Sequence, residues 1–242
     1  TLKSTPLSDS MTRKNLKHAA LNLLKKTMLY KHVYHPYAAA RVATLQRRRH
    51  ERLIGEGRAL LHDFARCCTE GQIPYWLEFG TLLGAWRDAA FIQNDEDIDI
   101  GARLEDAARL YQALTKNGFQ LVREFHVVGE NGLEQTYEYH GLTVDIMYFY
   151  EQDGLSWCNG VELPETCNKL VKAQVTAHWF RPFTLSTMNF LDLELSIPAN
   201  TEEHLIEIFG EGYRVYDPDF PGDLNKRYYP VAEKQAIGYR TC

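Results

Sequence analysis

The feature that most constrains this chain is the stretch over residues 76–102, WLEFGTLLGAWRDAAFIQNDEDIDIGA. A turn bracketed by glycines, residues 80–84, precedes the run 95–99, in which four of five side chains are acidic. Carboxylates that crowd together repel each other unless a cation lies between them. The stretch therefore predicts that the chain folds so as to build a cation site.

The acidic run ends in an alternation that is typical of a β-strand. Asp97 and Asp99 stand two residues apart, so both side chains project from one face, while Ile98 and Ile100 project from the other. Mg²⁺ prefers oxygen ligands and keeps several waters, so a few carboxylates and substrate phosphates complete its shell. The pattern predicts Mg²⁺, with Mn²⁺ as an alternative, bound by these two aspartates.

A third carboxylate is expected from Asp145. It lies between Val144 and Ile146 in an apolar, strand-like run, where an unpaired charge costs free energy. A bound metal removes that cost, which makes Asp97, Asp99 and Asp145 the predicted catalytic and metal-binding residues. Each motif considered alone has an alternative to metal binding. Asp145 could be a salt-bridged or strand-end aspartate, and the Asp-x-Asp pair could lie in a solvated loop.

The glycine turn predicts a substrate site. Backbone N–H groups of Gly80 and Thr81, at the start of a short helix, form a concave nest that binds anions, and the Thr81 hydroxyl adds a donor. A phosphate group fits such a nest. A plain tight turn is the alternative when the turn is considered alone.

The remaining patterns predict an α/β (α+β) fold with a mixed sheet flanked by helices. Helices are predicted at about residues 40–70, 81–87, 104–116 and 201–209, and strands at 73–77, 98–100, 119–128, 134–140 and 142–150. In the first long helix, the side chains expected to face inward are Leu45, Leu53, Leu60, Leu61 and Phe64. The chain beyond Gln152 is predicted to be rich in loops. The domain prediction is an N-terminal helical extension over residues 1–70 and a catalytic domain over residues 71–242.

The N-terminal segment is basic and the rest of the chain acidic. Residues 1–52 contain twelve Lys and Arg against two Asp and Glu, whereas the rest contains fifteen against thirty. Residues 13–32 predict an amphipathic helix. The favoured interpretation is that it packs on the rest of the chain, and the alternative is that it docks on an anionic membrane surface. Its basic face carries Lys14, Lys17, Lys25 and Lys26.

Nucleic acid is not an expected partner, because this basic segment lacks interleaved stacking aromatics and the acidic body repels a phosphate backbone. The chain has no apolar run of eighteen residues and does not begin like a signal peptide, so a cytoplasmic location is expected, with peripheral contact at the inner membrane surface if the helix docks there.

The five cysteines are expected to be reduced thiols. Cys67 and Cys68 are adjacent in a predicted helix, where they cannot easily bridge each other. A zinc site from Cys67, Cys68, Cys158 and Cys167 is the less favoured alternative, since no Cys-x₂-Cys pair occurs.

The order of glycine turn, Asp-x-Asp strand and third aspartate resembles the LicD/fukutin family of the nucleotidyltransferase fold, in the polymerase-β-like superfamily. FGTLLGAWRDAAFIQNDEDIDIG is similar to the family's turn, following arginine and acidic strand. HGLTVDIMYF and IPANTEEHLIEIFGEGYRVYDPDF are similar to its later segments, so the resemblance covers about residues 75–220. Gln93-Asn94 departs from the family, which often has Pro-Trp there.

The resemblance implies an enzyme that transfers a phospho-alcohol, such as phosphocholine or ribitol phosphate, from a CDP-activated donor to a hydroxyl of a glycan or lipid-linked glycan acceptor in polysaccharide biosynthesis. It also implies that Arg87 clamps a phosphate and that Asp95 supports the metal and substrate. A salt bridge from Arg87 to Asp88 or Glu96 is the alternative. Two other functions stay open: transfer of a nucleoside monophosphate, and a catalytically inactive nucleotide-binding protein of the same fold.

Overall fold

The computed structural model of the chain describes residues 35–93, 95–127, 133–162, 170–216 and 234–240. The chain divides into two compact units, Thr1–Arg48 and Arg49–Cys242, and everything that concerns the candidate site lies in the second. The predicted basic helix over residues 13–32 and Cys167 lie outside the described residues. The domain assignment therefore stays a prediction.

Helix α1 runs from His35 to Gly71 and confirms the predicted long helix, with an earlier start. Pro36 lies in the first turn, where the missing N–H would have no intrahelical partner. The predicted inward side chains are confirmed for Leu53, Leu60, Leu61 and Phe64, which are all buried. The prediction was wrong for Leu45, which is 46% exposed, because the described side chains of α1 over residues 40–49 are exposed and offer it no core to face.

The other helices of the described residues are α2 Phe79–Leu83, α3 Ala107–Lys116 and α4 Thr201–Phe209, with a π-helical turn Gly84–Asp88 and 3-10 turns Leu104–Asp106 and Glu211–Arg214. The strands are β1 Tyr75–Leu77, β2 Ile98–Arg103, β3 Gln120–Val127, β4 Leu133–Tyr139, β5 Leu142–Gln152, β6 Leu155–Glu162, β7 Leu170–Phe180, β8 Leu185–Phe190, β9 Leu193–Pro198 and β10 Lys234–Arg240. None of the helices in this described part of the chain is long and apolar enough to cross a bilayer.

The main sheet of the described residues has the strand order β1-β2-β5-β4-β3-β10-β7-β6, and β6 also pairs with the end of β5. Strands β2 and β5 are parallel, and the other pairings are antiparallel. Strands β8 and β9 form a second, two-stranded sheet. The predicted mixed sheet flanked by helices is confirmed.

The prediction of a loop-rich chain beyond Gln152 was wrong, because β6 to β9 follow it. The reason is visible in β8, whose side chains are mostly exposed and therefore show no alternation of apolar and polar residues. Strands β8 and β9 pair with each other as a hairpin, whereas β7 also pairs with β10, a partner far along the chain that a local pattern does not report.

Strand β1 is seated against β2 by a close contact between a tryptophan and a glycine. Trp76 pairs with Gly101, and a Cβ atom at position 101 would lie 2.2 Å from the Trp76 indole nitrogen. Any larger residue at 101 would push the strands apart. This contact fixes where β1 ends and therefore where α2 begins beside the acidic strand.

Candidate active site

The parallel pairing of β2 with β5 brings two predicted site residues side by side. Asp99 is in register with Asp145, and Asp145 is in turn in register with Thr136 of β4. Thr136 is in register with Arg123 of β3. Residues in register on neighbouring strands project from the same face of a sheet, so Asp99, Asp145, Thr136 and Arg123 form one row across four strands.

Asp99 is held by the segment that precedes it in the chain. The Gly80 N–H donates to Asp99 Oδ2 at 3.0 Å, and the Asp99 N–H donates to Thr81 Oγ1 at 2.9 Å. The Glu78 N–H donates to the Asp99 carbonyl oxygen at 3.1 Å. These bonds lock the start of α2 to the acidic strand and fix the direction of the Asp99 carboxylate.

Groups of the glycine turn form hydrogen bonds with Asp99, whereas an open anion-binding nest would direct them to a ligand. The predicted helix over residues 81–87 is confirmed as a helical segment, but it begins earlier, with Gly80 and Thr81 inside α2, and it continues as the π-helical turn. The Gly80 N–H is directed to Asp99, and Thr81 is fully buried. The phosphate-binding roles of Gly80 and Thr81 therefore stay predictions.

Gly80 leaves room for two carboxylates. A Cβ atom at this position would lie 3.3 Å from Asp99 Oδ2 and 3.4 Å from Asp95 Oδ2. Both contacts are tighter than ordinary van der Waals distance, so a side chain here would push on both acids. Asp95 and Asp99 thus approach the same point, as expected of members of one cluster.

Burial, and to a smaller extent the neighbouring acids, raises the pKa values of the clustered aspartates. Burial, followed by the charges of Asp145 and Asp95, raises the pKa of Asp97 to about 7. Burial raises the pKa of Asp95 to about 6. The pKa of Asp99 is raised well above its ordinary value, first by burial and then by Asp97, Asp95 and Asp145. A protein without a ligand for these groups gains nothing from such an arrangement.

Two buried oxygens of the cluster have no hydrogen-bond partner among the described residues: Asp95 Oδ2 and Asp145 Oδ1. Unsatisfied carboxylate oxygens are the donor set of a hard divalent cation, so the residues present fit Mg²⁺ or Mn²⁺ by chemistry. The described side chains do not, however, include three or more His, Cys, Asp or Glu already gathered as metal ligands. The metal-binding roles of Asp97, Asp99 and Asp145 stay predictions that the chemistry supports.

Arg87 makes the ion pair that was the alternative to a phosphate clamp. Its Nε and NH2 donate to the two carboxylate oxygens of Asp88 at 2.8 and 2.7 Å, and its NH1 donates to the Tyr213 carbonyl oxygen at 3.1 Å. The guanidinium therefore joins the π-helical turn to the 3-10 turn after α4. Its role toward a substrate phosphate stays a prediction.

Arg123 is a site residue that the sequence analysis missed. Its NH2 donates to Asp145 Oδ2 at 2.7 Å and to Glu134 Oε1 at 2.9 Å. A signal was present in the sequence: Arg123 stands two residues before Phe125 in a strand-like run, where a cation on the buried face requires an acidic partner.

Glu78 is a second missed residue, and it is fully buried. Its carboxylate accepts hydrogen bonds from the Trp76 indole N–H at 2.6 Å and the Phe79 N–H at 3.3 Å, and His204 Nε2 of α4 lies 2.7 Å from Glu78 Oε1. The argument that singled out Asp145 applies equally to Glu78, an acid within the apolar segment WLEF.

The zinc alternative is not supported by the described cysteines. Cys67, Cys68 and Cys158 are buried thiols that form no disulfide. The first two pack in one hydrophobic cluster and Cys158 packs in another. Burial raises the pKa of the Cys68 thiol, so this side chain behaves as an apolar core residue.

Comparisons with known proteins identify the family to which the chain is similar. The family model described as "LicD/FKTN/FKRP, nucleotidyltransferase domain" matches residues 72–200. Human "Ribitol-5-phosphate transferase FKTN" is 27% identical over 158 residues, which are 64% of this chain and 32% of that protein. Human "Ribitol 5-phosphate transferase FKRP" is 30% identical over 162 residues, which are 62% of this chain and 30% of that protein.

The chain spans about a third of the length of these curated relatives. Among solved structures, the crystal structure of ANT(2")-Ia in complex with adenylyl-2"-tobramycin is similar with a TM-score of 0.40 and 15% sequence identity, covering 70% of this chain and 82% of that chain. The family match includes the glycine turn, the acidic strand and Asp145, and it covers more than half of the chain. The chain belongs to the LicD/FKTN/FKRP family of nucleotidyltransferase domains.

Proposed function

We propose that this chain is a transferase that moves a phospho-alcohol, such as ribitol phosphate or phosphocholine, from a CDP-activated donor to a hydroxyl of a glycan acceptor, with Mg²⁺ or Mn²⁺. The observation that carries the proposal is the crowding of four acids: Asp95 and Asp97 just before β2, Asp99 on β2, and Asp145 in register with Asp99 on β5. The names of the relatives, which are ribitol 5-phosphate transferases, support the phospho-alcohol over other groups.

In the proposed reaction, the acceptor oxygen attacks the phosphorus that carries the alcohol. A new P–O bond forms to the acceptor, the P–O bond of the pyrophosphate bridge breaks, CMP leaves, and the acceptor hydroxyl gives up its proton. A divalent cation supplies charge neutralisation for the pyrophosphate and the leaving CMP. The chain must therefore hold the cation, orient the donor and provide a path for one proton.

Asp97 and Asp99 are the residues that would hold the cation. Asp99 is fixed by the Gly80 and Thr81 bonds, so it offers its carboxylate in a set direction, as an ordered ligand does. Asp145 lies opposite Asp99 in register and offers Oδ1 either as a third ligand or as the acceptor of the proton. Asp95 borders the same space, and the backbone carbonyl of Asp95 lies 2.9 Å from His50 Nδ1, which ties this part of the run to α1.

The decisive experiment incubates the protein with a panel of CDP-alcohols, a glycan acceptor and Mg²⁺, and follows free CMP and modified acceptor by mass spectrometry. We expect CMP release with one donor and acceptor mass increased by the corresponding phospho-alcohol. The matched controls are Asp97→Asn and omission of the divalent cation, both of which should abolish CMP release.

Other products would identify the alternatives. An acceptor that gains a nucleoside monophosphate would establish nucleotidyl transfer instead. Thermal stabilisation by CDP ligands in Mg²⁺ without any product would establish a nucleotide-binding protein that lacks catalysis. Either result would overturn the proposed reaction.

A further inference from the structure

Arg123 reaches Asp145 across an intervening strand. The two residues lie on β3 and β5, and Thr136 of β4 stands between them in the same row. Adjacent strands are about 4.8 Å apart, so only a long side chain that crosses a small one can span the distance. Thr136 is buried and small enough to leave this path open.

The guanidinium of Arg123 is fixed from three sides. It donates to Asp145 and to Glu134, and it lies over the Phe125 ring with 5.3 Å between the guanidinium carbon and the ring centroid. Its side chain is only 16% exposed. Because the guanidinium group is planar and carries its donors in a rigid fork, these contacts determine its orientation.

This geometry divides the two oxygens of Asp145 between two tasks. Oδ2 is bound by Arg123, whereas Oδ1 is buried and has no hydrogen-bond partner among the described residues. We propose that Arg123 is a positioning residue that holds Asp145 by Oδ2 and thereby presents Oδ1 to the cation. This inference rests on the cation site of the proposed function. It makes Oδ1, the oxygen that Arg123 leaves unbound, the one that Asp145 offers as a ligand.

The test measures Mn²⁺ affinity by electron paramagnetic resonance of free Mn²⁺, without any donor or acceptor. We expect Arg123→Met to weaken Mn²⁺ binding about tenfold or more, as is usual when the partner that orients a ligand is lost. Arg123→Lys keeps the charge and one contact, so it should retain most of the affinity.

Glu134→Gln loosens Arg123 without touching Asp145 and should weaken binding by a smaller factor. It serves as the test if Arg123→Met does not fold.

Arg103 provides the matched control. It lies on β2, its NH1 is 2.9 Å from Glu151 Oε1, and its guanidinium carbon lies 5.6 Å from the Trp76 ring centroid. Arg103 therefore also combines an acidic neighbour with aromatic neighbours, but its acid, Glu151, is not one of the predicted ligands. Arg103→Met should leave Mn²⁺ affinity unchanged.

A double substitution shows whether Arg123 acts through Asp145. In an Asp145→Asn background, Arg123→Met should cost little further affinity, because the residue that it positions is already lost. A full additional tenfold loss would mean that Arg123 acts by another route and would overturn the inference. Unchanged or tighter Mn²⁺ binding by Arg123→Met alone would overturn it as well, since a guanidinium that merely repels the cation predicts tighter binding.

The metal measurement separates this inference from the proposed reaction. If no CDP-alcohol releases CMP but Arg123→Met still weakens Mn²⁺ binding through Asp145, the proposed reaction fails and the positioning role stands. If the wild-type protein binds no Mn²⁺, both the cation site and the positioning role are wrong.

Discussion

Buried acids lie on both sides of helix α2, and the described side chains neutralise them to different extents. On one side, the buried carboxylate of Glu78 has the indole of Trp76, the Phe79 N–H and His204 as partners. On the other side, burial and then the neighbouring acids raise the pKa values of Asp97 and Asp99. Nineteen positions of chain separate Glu78, which has close partners, from Asp97 in the crowded acidic run.

The comparison separates an acid that has its own partners from the acids that we propose hold a cation. A buried charge with a full set of partners stabilises the fold and needs no ligand. Buried carboxylates that face each other destabilise the fold until a cation binds, and they are retained for what the cation does. Substitutions on the two sides of α2 should therefore affect different measurements.

The largest effect is expected from removal of a charge on the unsatisfied side. Asp97→Asn and Asp99→Asn should each lower turnover at least about a hundredfold, because each removes charge from the cation site rather than from the core. The melting temperature without a divalent cation should hold or rise, since like charges crowd less. Near-wild-type CMP release by either variant would contradict the assignment of that side as functional.

Asp145→Asn is expected to have the next largest effect, a loss of about 10-fold to 100-fold in turnover. If Asp145 is a ligand only, raising Mg²⁺ or substituting Mn²⁺ should recover part of the activity, because mass action compensates for weaker binding. Turnover measured across a range of cation concentrations makes the distinction. Activity that excess cation does not recover would show that Asp145 is also the base, and full activity under ordinary conditions would remove it from the site.

On the satisfied side, Glu78→Gln should act on stability. The amide keeps the size of the side chain but loses the charge, and its NH₂ group faces donors, so we expect a loss of about 2 kcal/mol in the free energy of unfolding. Urea unfolding measures this loss, and turnover per folded molecule should fall far less than in Asp97→Asn. A variant with unchanged stability and strongly reduced turnover would place Glu78 among the functional acids and remove the contrast.

The smallest effect is the pH dependence of the melting temperature. In the folded chain the pKa of Asp97 is about 7, against an ordinary value of 3.8. Between about pH 4 and pH 7 the folded state therefore binds more protons than the unfolded state, so stability without a divalent cation falls as pH rises through this window. The melting-temperature shift on adding Mg²⁺ should be small at about pH 5, where the cation must displace protons from the carboxylates. It should be larger at about pH 8, where the carboxylates are already ionised.

Asp97→Asn is the control for this measurement. It should reduce the difference between the Mg²⁺-induced melting-temperature shifts at the two pH values. Glu78→Gln should leave the difference unchanged, because Glu78 lies on the satisfied side of α2. A Mg²⁺ shift of equal size at both pH values would contradict the raised pKa values of the cluster.

Much of the candidate site follows from local sequence. The alternation of Ile98, Asp99 and Ile100 predicts the strand, and the apolar neighbours of Asp145 predict a charge that needs a partner. The helix over residues 201–209 and its end at Gly210 also follow from local spacing and a glycine stop. These features are predictable because helix and strand periods act over a few neighbouring residues.

Other features required the tertiary structure. The pairing of Asp99 with Asp145 depends on the register of two strands whose connection includes α3, β3 and β4. The contact of Glu78 with His204 joins residues 126 positions apart, and the bond from Arg123 to Asp145 crosses the strand between them. Register and such contacts are set by how distant elements bury their side chains together, and no local pattern encodes that choice. The sequence alone thus determined which acids this protein carries and how closely they follow one another, from which a cation is predicted, whereas the packing of the sheet decided which of those acids its own side chains neutralise.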